Sequence, residues 1–408
     1  MSRGAFVRCM SQQRFEIYEM TVPGKSTYGS APTSCVVQKA NPAEQPSSME
    51  DLVANAWEAA LKRKSIDRDE DFRSLNMNSN RSMQIIRDIW EKTSIELPVN
   101  VFFDFPTIRQ MAKAILDGNA LVASDLIRLR DGDIAMPLYM FPGGGGVLVE
   151  LVDLVRKLDH PGVIYGIAFS GLDGIGPFYD RFEAEAARAL GIMRRVQPSG
   201  PHRLIGYSIG GITALETARL FRKEGEEPTF LGLIDTPQND HSWPLQVWLA
   251  FMLRKILRKV RSWRRARRSS ARPLPSPVDI NPRRRGTQFE YRFRNPNNPN
   301  YPYYSPYWVA YHTPKYSRVG ENVCRMKGFY TPSQYDGKAY VFASTAGDVS
   351  VCDPEQVWPK YLPNAKWIRV PGNHLSMLIG RNAVRLAGAI SDCLKQVAPA
   401  DSTLRHRG

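Results

Sequence analysis

A serine at position 208 stands in a pattern suited to a nucleophile. Residues 206–211 read GYSIGG, and they lie between an apolar run that ends at Ile205 and a stretch with apolar residues at helical spacing from 214 to 220. A tight turn from strand to helix leaves no room for large side chains, and it holds the hydroxyl above the edge of a sheet. The pattern therefore predicts Ser208 as a nucleophile.

A nucleophile of this kind needs an acid and a histidine, which follow the serine along the chain in that order. Asp235 comes directly after the apolar run at 230–234. His374 follows the run at 367–370, on a loop that leads into a helix. Both side chains are expected at the edge of the sheet where Ser208 lies, with His374 as the base and Asp235 as the acid that orients it.

A second aspartate competes for the role of the acid. Asp348 follows the apolar run at 339–343, which is also a place where hydrolases of this kind carry the acid. We prefer Asp235, and Asp348 remains the alternative.

Four consecutive glycines, at 143–146, come shortly after the first apolar run of this region, at 137–141. This glycine run lacks the lysine and the hydroxyl residue of a phosphate-binding loop and the spacing of a dinucleotide-binding turn. Its better use is to supply the backbone N–H of Gly143 to an oxyanion hole, with the N–H of Ile209 as the second donor.

The elements around these residues indicate a parallel sheet covered by helices. Strand-length apolar runs occur at 137–141, 163–169, 204–207, 230–234, 339–343 and 367–370, and helical segments separate several of them. Upstream, helical spacing predicts three helices: one that begins near Ser48 with a capping box to Asp51, one from about Ser79 to Trp90, and one after Pro106. These three helices predict a small bundle.

The motifs taken in order resemble the integrated thioesterase domains of nonribosomal peptide and polyketide synthases. The stretches that carry the resemblance are FPGGGG at 141–146, VIYGIAFSGLDG at 163–174, QPSGPHRLIGYSIGGITALETARL at 197–220, LGLIDT at 231–236 and PGNHLSML at 371–378. The resemblance implies an α/β-hydrolase fold: a mostly parallel sheet with helices on both faces and a helical lid. It implies an acyl-enzyme ester on Ser208, His374 as general base and Asp235 as the acid. Phe141 stands where many members have histidine.

The bundle is similar to the phosphopantetheine-bearing carrier domains of the same assembly lines. Residues 71–75, DFRSL, and 102–107, FFDFPT, carry this similarity. It implies a covalent 4'-phosphopantetheine on Ser79, which lies four residues after Leu75; Ser82 is the other serine considered. Asn76-Met77-Asn78 replaces the usual Gly-Gly before the attachment serine, and an unmodified bundle with a helix-capping serine is the alternative.

The charge of the chain is concentrated in one insertion. The 408 residues carry 55 lysines and arginines against 40 acidic residues, a net charge of +15. Residues 254–285 hold thirteen of the basic residues and one acidic residue. In the resemblance this insertion is the lid. We expect it to dock an acidic carrier or acyl-chain substrate, with contact to a membrane surface as a second role, and we do not expect nucleic acid as a partner.

The domain organisation follows from these assignments. We expect a tail or junction at 1–47, a carrier-like bundle at 48–117, a linker at 118–124, a thioesterase domain at 125–398 with its lid at about 238–320, and a tail at 399–408. Five scattered cysteines without a Cys-x-x-Cys pair predict no metal site, and no apolar stretch has the length of a signal peptide or a membrane span. A cytoplasmic location is expected.

The predicted function is release of an acyl or peptidyl chain from its carrier, by hydrolysis or by cyclisation. Its partners would be upstream synthetase modules or carriers, a phosphopantetheinyl transferase and the acyl or peptidyl thioester. Two alternatives remain: a thioesterase that shuttles or edits acyl groups between carriers, and a basic membrane or scaffold protein with an unmodified bundle.

Overall fold

The computed structural model describes residues 48–75, 77–98, 100–121, 123–172, 178–238, 243–268, 313–346 and 353–397. The predicted tails at 1–47 and 399–408, the rival acid Asp348 and most of the predicted lid lie outside these residues. All the described residues belong to one compact unit.

Four helices make up the N-terminal bundle of the described chain. They are α1 (Met49–Leu61), α2 (Ser79–Thr93), α3 (Val101–Asp104) and α4 (Ile108–Leu116). One bond of the predicted capping box is present, since the side chain of Ser48 accepts a hydrogen bond from the N–H of Asp51, and the Ser48 hydroxyl donates to the Asp51 carboxylate. The three predicted helices are confirmed, whereas α3 was not predicted, because four residues are too few to show a helical period.

Aromatic rings fill the centre of the bundle. Trp57 and Phe72 are fully buried, and Phe102 lies between them with ring centroids 6.0 and 5.7 Å away. Rings in tilted contact at these distances stabilise a small core beyond the area that they bury. The bundle therefore has a hydrophobic centre of its own.

A seven-stranded sheet follows. Its strands are β1 (Leu126–Arg130), β2 (Asp133–Phe141), β3 (Gly162–Ile167), β4 (Arg203–Tyr207), β5 (Phe230–Ile234), β6 (Ala339–Ser344) and β7 (Ala365–Val370), in the spatial order β1-β3-β2-β4-β5-β6-β7. All pairs are parallel except β1 with β3. Every residue of β4 and β5 is buried, which explains why the central strands read as continuous apolar runs.

Six further helices belong to this part of the described chain: α5 (Val152–Lys157), α6 (Phe182–Val196), α7 (Gly210–Lys223), α8 (Leu245–Arg268), α9 (Pro314–Phe329) and α10 (Gly380–Gln396). Helix α6 packs against α7, which lies on β4 and β5, and α10 packs against α5. The mostly parallel sheet with its helices is the α/β-hydrolase fold that the sequence predicts.

The bundle contacts the sheet-bearing part through the loop after α2. The carboxylate of Glu96 accepts hydrogen bonds from the Thr313 hydroxyl and, at 3.1 Å, from the N–H of Lys315, both at the start of α9. The buried Tyr316 hydroxyl donates to the carbonyl of Leu97 at 3.1 Å. A carboxylate at a helix N-terminus satisfies unpaired N–H groups and faces the positive end of the helix dipole. The bundle thus supplies the N-terminal cap of α9.

Candidate active site

The carboxyl ends of the parallel strands bring the predicted residues to one edge of the sheet. Ser208 follows β4 with φ of +52°, a left-handed conformation that side chains rarely adopt. The two glycines of the turn are sterically required: a Cβ at Gly206 would lie 2.3 Å from the Gly210 carbonyl oxygen, and a Cβ at Gly210 would lie 2.2 Å from that of Pro142. The tight strand-to-helix turn that the sequence predicts is therefore present.

His374 lies between Ser208 and Asp235. Its Nε2 is 2.9 Å from the Ser208 Oγ, and its Nδ1 is 2.8 Å from an Asp235 carboxylate oxygen. With the proton on Nδ1, the imidazole donates to Asp235 and leaves Nε2 to accept the serine proton. Ser208 and Asp235 are buried, and 14% of the His374 side chain is exposed. The three side chains thus form one continuous hydrogen-bonded relay.

Asp235 is held in a fixed orientation. Its φ of +45° is left-handed, like that of Ser208, and its N–H donates to the carbonyl of Phe342. The N–H of Ser344 donates to one carboxylate oxygen at 3.0 Å, and the Ser344 hydroxyl lies 3.3 Å from the other. Burial by itself would raise the pKa of Asp235, but its contacts with His374 and Ser344 outweigh burial and lower it. The carboxylate is accordingly charged at neutral pH.

Tyr207 supports the histidine, a role that the sequence reasoning missed. Its ring stacks on the His374 imidazole with centroids 5.1 Å apart, and its hydroxyl donates to the His374 carbonyl at 2.7 Å. The turn that contains His374 is closed by two reciprocal bonds between Asn373 and Ser376, at 2.9 and 2.8 Å. The only sequence signal for Tyr207 is its place next to the nucleophile, where any residue fits the motif.

The Gly143 N–H, one of the two predicted oxyanion-hole donors, is already hydrogen-bonded to a side-chain carboxyl group. The N–H of Gly143 donates to the Oε1 of Glu150 at 2.6 Å. Burial raises the pKa of Glu150 to about 7, although the bond from Gly143 acts in the opposite direction. The sequence reasoning missed Glu150, whose one signal is an acidic residue within the apolar stretch at 147–152. Ile209, the other predicted donor, follows Ser208 and precedes the first residue of α7.

The predicted attachment serine lies in the bundle. Ser79 is the first residue of α2, and the preceding Asn78 caps this helix by accepting a hydrogen bond from the N–H of Arg81. Ser82, the other serine considered, is fully buried. The first turn of α2 contains no acidic residue. The N-terminus of a helix without acidic residues in its first turn is a suitable setting for an anion.

No group of three or more histidine, cysteine or acidic residues in the described part of the chain is placed to hold a metal ion. Among the helices that the structure describes, none is long and apolar enough to cross a bilayer.

Comparisons with known proteins agree with this architecture. Residues 136–258 match the thioesterase domain family, and residues 51–115 match the phosphopantetheine attachment site family. Indigoidine synthase of Dickeya dadantii is 31% identical over 178 residues, which are 44% of this chain and 12% of the synthase. A dimodular nonribosomal peptide synthase of Bacillus subtilis is 26% identical over 198 residues, which are 48% of this chain and 8% of that protein. The chain thus spans a small part of these relatives.

A solved structure shares the fold of both parts. The holo form of AB3403, a four-domain nonribosomal peptide synthetase, superposes with a TM-score of 0.50 and 19% identity over 90% of this chain and 27% of the synthetase. Fold and site together define an α/β-hydrolase of the thioesterase type behind a carrier-like bundle. The chain is thus similar to a phosphopantetheine attachment region followed by a thioesterase domain, and 4'-phosphopantetheine is the cofactor that the match at residues 51–115 implies.

Proposed function

We propose that this chain releases an acyl or peptidyl chain from a carrier, with Ser208 as nucleophile, His374 as general base and Asp235 as the orienting acid. The observation that carries the proposal is the position of His374, at 2.9 Å from the Ser208 Oγ and 2.8 Å from the Asp235 carboxylate. These distances lie within the range for proton transfer along hydrogen bonds. Asp348 remains the alternative acid.

The proposed reaction has two halves: transfer of the acyl group to Ser208 and its release from Ser208. In the first, His374 Nε2 takes the Ser208 proton as Oγ attacks the thioester carbonyl carbon; the C–S bond then breaks and the proton passes to the leaving sulfur. In the second, water or a hydroxyl or amine of the acyl chain gives a proton to His374 and attacks the ester. The C–O bond to Ser208 breaks, and Oγ recovers the proton from His374. Water gives hydrolysis and an internal group gives cyclisation.

The negative charge that develops on the carbonyl oxygen needs hydrogen-bond donors. We assign these to the N–H groups of Gly143 and Ile209, of which each is worth about 2.7–4 kcal/mol in comparable enzymes. In the resting arrangement Glu150 accepts the Gly143 N–H at 2.6 Å, so the carboxyl group has to give up this contact before the oxyanion can use the donor.

We assign the attachment of 4'-phosphopantetheine to Ser79. When bound, this group supplies a flexible arm whose thiol carries the chain as a thioester. Support comes from the burial of Ser82, which removes the competing serine from reach of a phosphopantetheinyl transferase. Helix α2, which opens at Ser79, also packs on the turn Leu148–Leu151, which carries Glu150. The helix that begins at the attachment serine would thus lie next to the turn that carries Glu150 of the active site. A coenzyme A-dependent transferase and upstream synthetase modules are the partners, and the cytoplasm is the proposed location.

Serine-directed labelling tests the nucleophile. We expect a fluorophosphonate to add one label to the full chain, and Ser208→Ala to abolish both labelling and thioester turnover, the latter by on the order of a millionfold. Ser391→Ala is the matched control, because Ser391 is buried too but lies in α10. Continued labelling of Ser208→Ala would refute the assignment.

Intact mass tests the attachment site. Incubation with a phosphopantetheinyl transferase and coenzyme A should add one phosphopantetheine to the full chain and to Ser82→Ala, but not to Ser79→Ala. No gain in any variant would favour the scaffold alternative. Turnover that occurs only with acyl groups on a separate carrier would favour shuttling or editing.

A further inference from the structure

Helix α8 exposes a row of large apolar side chains. Its exposed members, called here the α8 stripe, are 39–59% exposed and recur at intervals of one, three and four residues: Leu245, Leu249, Leu253, Ile256, Leu257 and Val260. These intervals place them along one side of an α-helix. Single exposed apolar residues are ordinary, but a continuous row over four turns marks a binding surface.

The helix is anchored to the protein along a different side. Trp248 is buried, and Met252 is partly buried against the hydrophobic core. At 100° per residue these two positions lie beside the stripe rather than within it. The N-terminal half of α8 is therefore fixed by packing, and this fixed helix presents the stripe outward.

The same helix is strongly basic. The 24 residues of α8 include nine arginines and lysines and no acidic residue: Arg254, Lys255, Arg258, Lys259, Arg261, Arg264, Arg265, Arg267 and Arg268. Helical spacing places positions 254, 258, 261 and 265 on the side of the helix away from positions 249, 256 and 260. Along the stripe, at 245–261, the helical period thus gives an apolar side and a basic side, whereas positions 264 and 267 carry arginines on the side of the stripe beyond its end.

We propose that α8 docks on an anionic lipid surface, with the α8 stripe in the boundary between headgroups and acyl chains and the basic residues among the headgroup phosphates. Apolar burial and electrostatic attraction add in this geometry, and α8 is too charged to span a bilayer. A polyanion such as nucleic acid would pair with the arginines but leave the stripe in water. A second copy of the chain would bring two sets of nine positive charges together. Of these three partners, lipid is the one that satisfies both sides.

Vesicle flotation of the full chain tests the proposal. The vesicles contain phosphatidylcholine alone or phosphatidylcholine with 30% phosphatidylglycerol. We expect binding only to the anionic vesicles, weakened by added salt because exposed charges are screened. Leu249→Glu combined with Ile256→Glu should reduce binding by about a hundredfold, since burial of each such side chain is worth about tenfold in affinity.

Matched variants separate the two contributions. Arg254→Glu with Arg258→Glu should also abolish flotation, whereas Leu116→Glu with Ile134→Glu, which replaces exposed apolar residues outside α8, should leave it intact. Circular dichroism and the melting temperature verify the folding of each variant. No flotation, equal flotation with neutral vesicles, or full binding by the Leu249→Glu and Ile256→Glu variant would overturn the proposal. Loss of thioesterase activity would not affect it, because binding is measured without turnover.

Discussion

The raised pKa of Glu150 can be tested without a substrate, through the pH dependence of the free energy of unfolding. In the folded chain the pKa of Glu150 is raised by burial from its ordinary value of 4.5 to about 7. Between these two pH values the folded protein holds a proton that the unfolded chain has lost, so rising pH favours unfolding. At about 1.4 kcal/mol per pH unit, the stability contribution of this group falls by about 3 kcal/mol from pH 4.5 to pH 7.

Glu150→Gln removes this proton equilibrium but keeps an oxygen that can accept the Gly143 N–H. We expect the free energy of unfolding of the unmodified chain to decline relative to that of the variant by about 3 kcal/mol across this pH range. Urea titrations followed by tryptophan fluorescence at pH 4.5, 5.5, 6.5 and 7.5 measure the difference.

The control is Glu91→Gln, since Glu91 is exposed on α2. Its difference from the unmodified chain should change far less with pH. If the Glu150→Gln and unmodified curves run parallel, Glu150 is not the half-buried group with a raised pKa that the structure describes.

Three further predictions concern the relay and the bundle. Asp235→Asn should lower kcat for thioester cleavage about 10⁴-fold, because the amide no longer selects the productive His374 tautomer; a loss below tenfold would favour Asp348. Ser208→Gly should unfold at higher urea than Ser208→Ala, by about 1 kcal/mol, because glycine adopts φ of +52° without strain; equal midpoints would contradict this. Glu96→Ala should cost about 1 kcal/mol of unfolding free energy through the lost cap of α9, and an unchanged urea midpoint would speak against it.

Much of the sheet was predictable because its central strands are buried on both faces. All six predicted strands occur, among them β4 and β5 with no exposed residue. The missed strand β1 reads LIRLR and pairs antiparallel at the edge of the sheet, so charged and apolar residues alternate in it. An edge strand of five such residues does not stand out from a polar loop.

The relay could be predicted for a topological reason. Parallel strands end at one edge, so residues that follow β4, β5 and β7 come together however far apart they lie in the chain. Glu150 and Tyr207 could not be predicted in this way. The role of Tyr207 depends on one hydrogen bond from its hydroxyl to the His374 carbonyl, and that of Glu150 on one bond from the Gly143 N–H. The periodicity of a sequence does not predict single bonds of this kind.

The contact between Glu96 and α9 bears on how interchangeable the two parts are. The acceptor that completes the start of α9 lies 217 residues earlier, within the bundle. A cut at residues 118–124 would separate two sequence-defined domains but would leave the Lys315 N–H without this partner. A foreign carrier joined to this thioesterase would fit well only with a carboxylate at the position of Glu96. The two domains that the sequence separates are therefore interchangeable only where the bundle supplies these contacts, among them the carboxylate of Glu96.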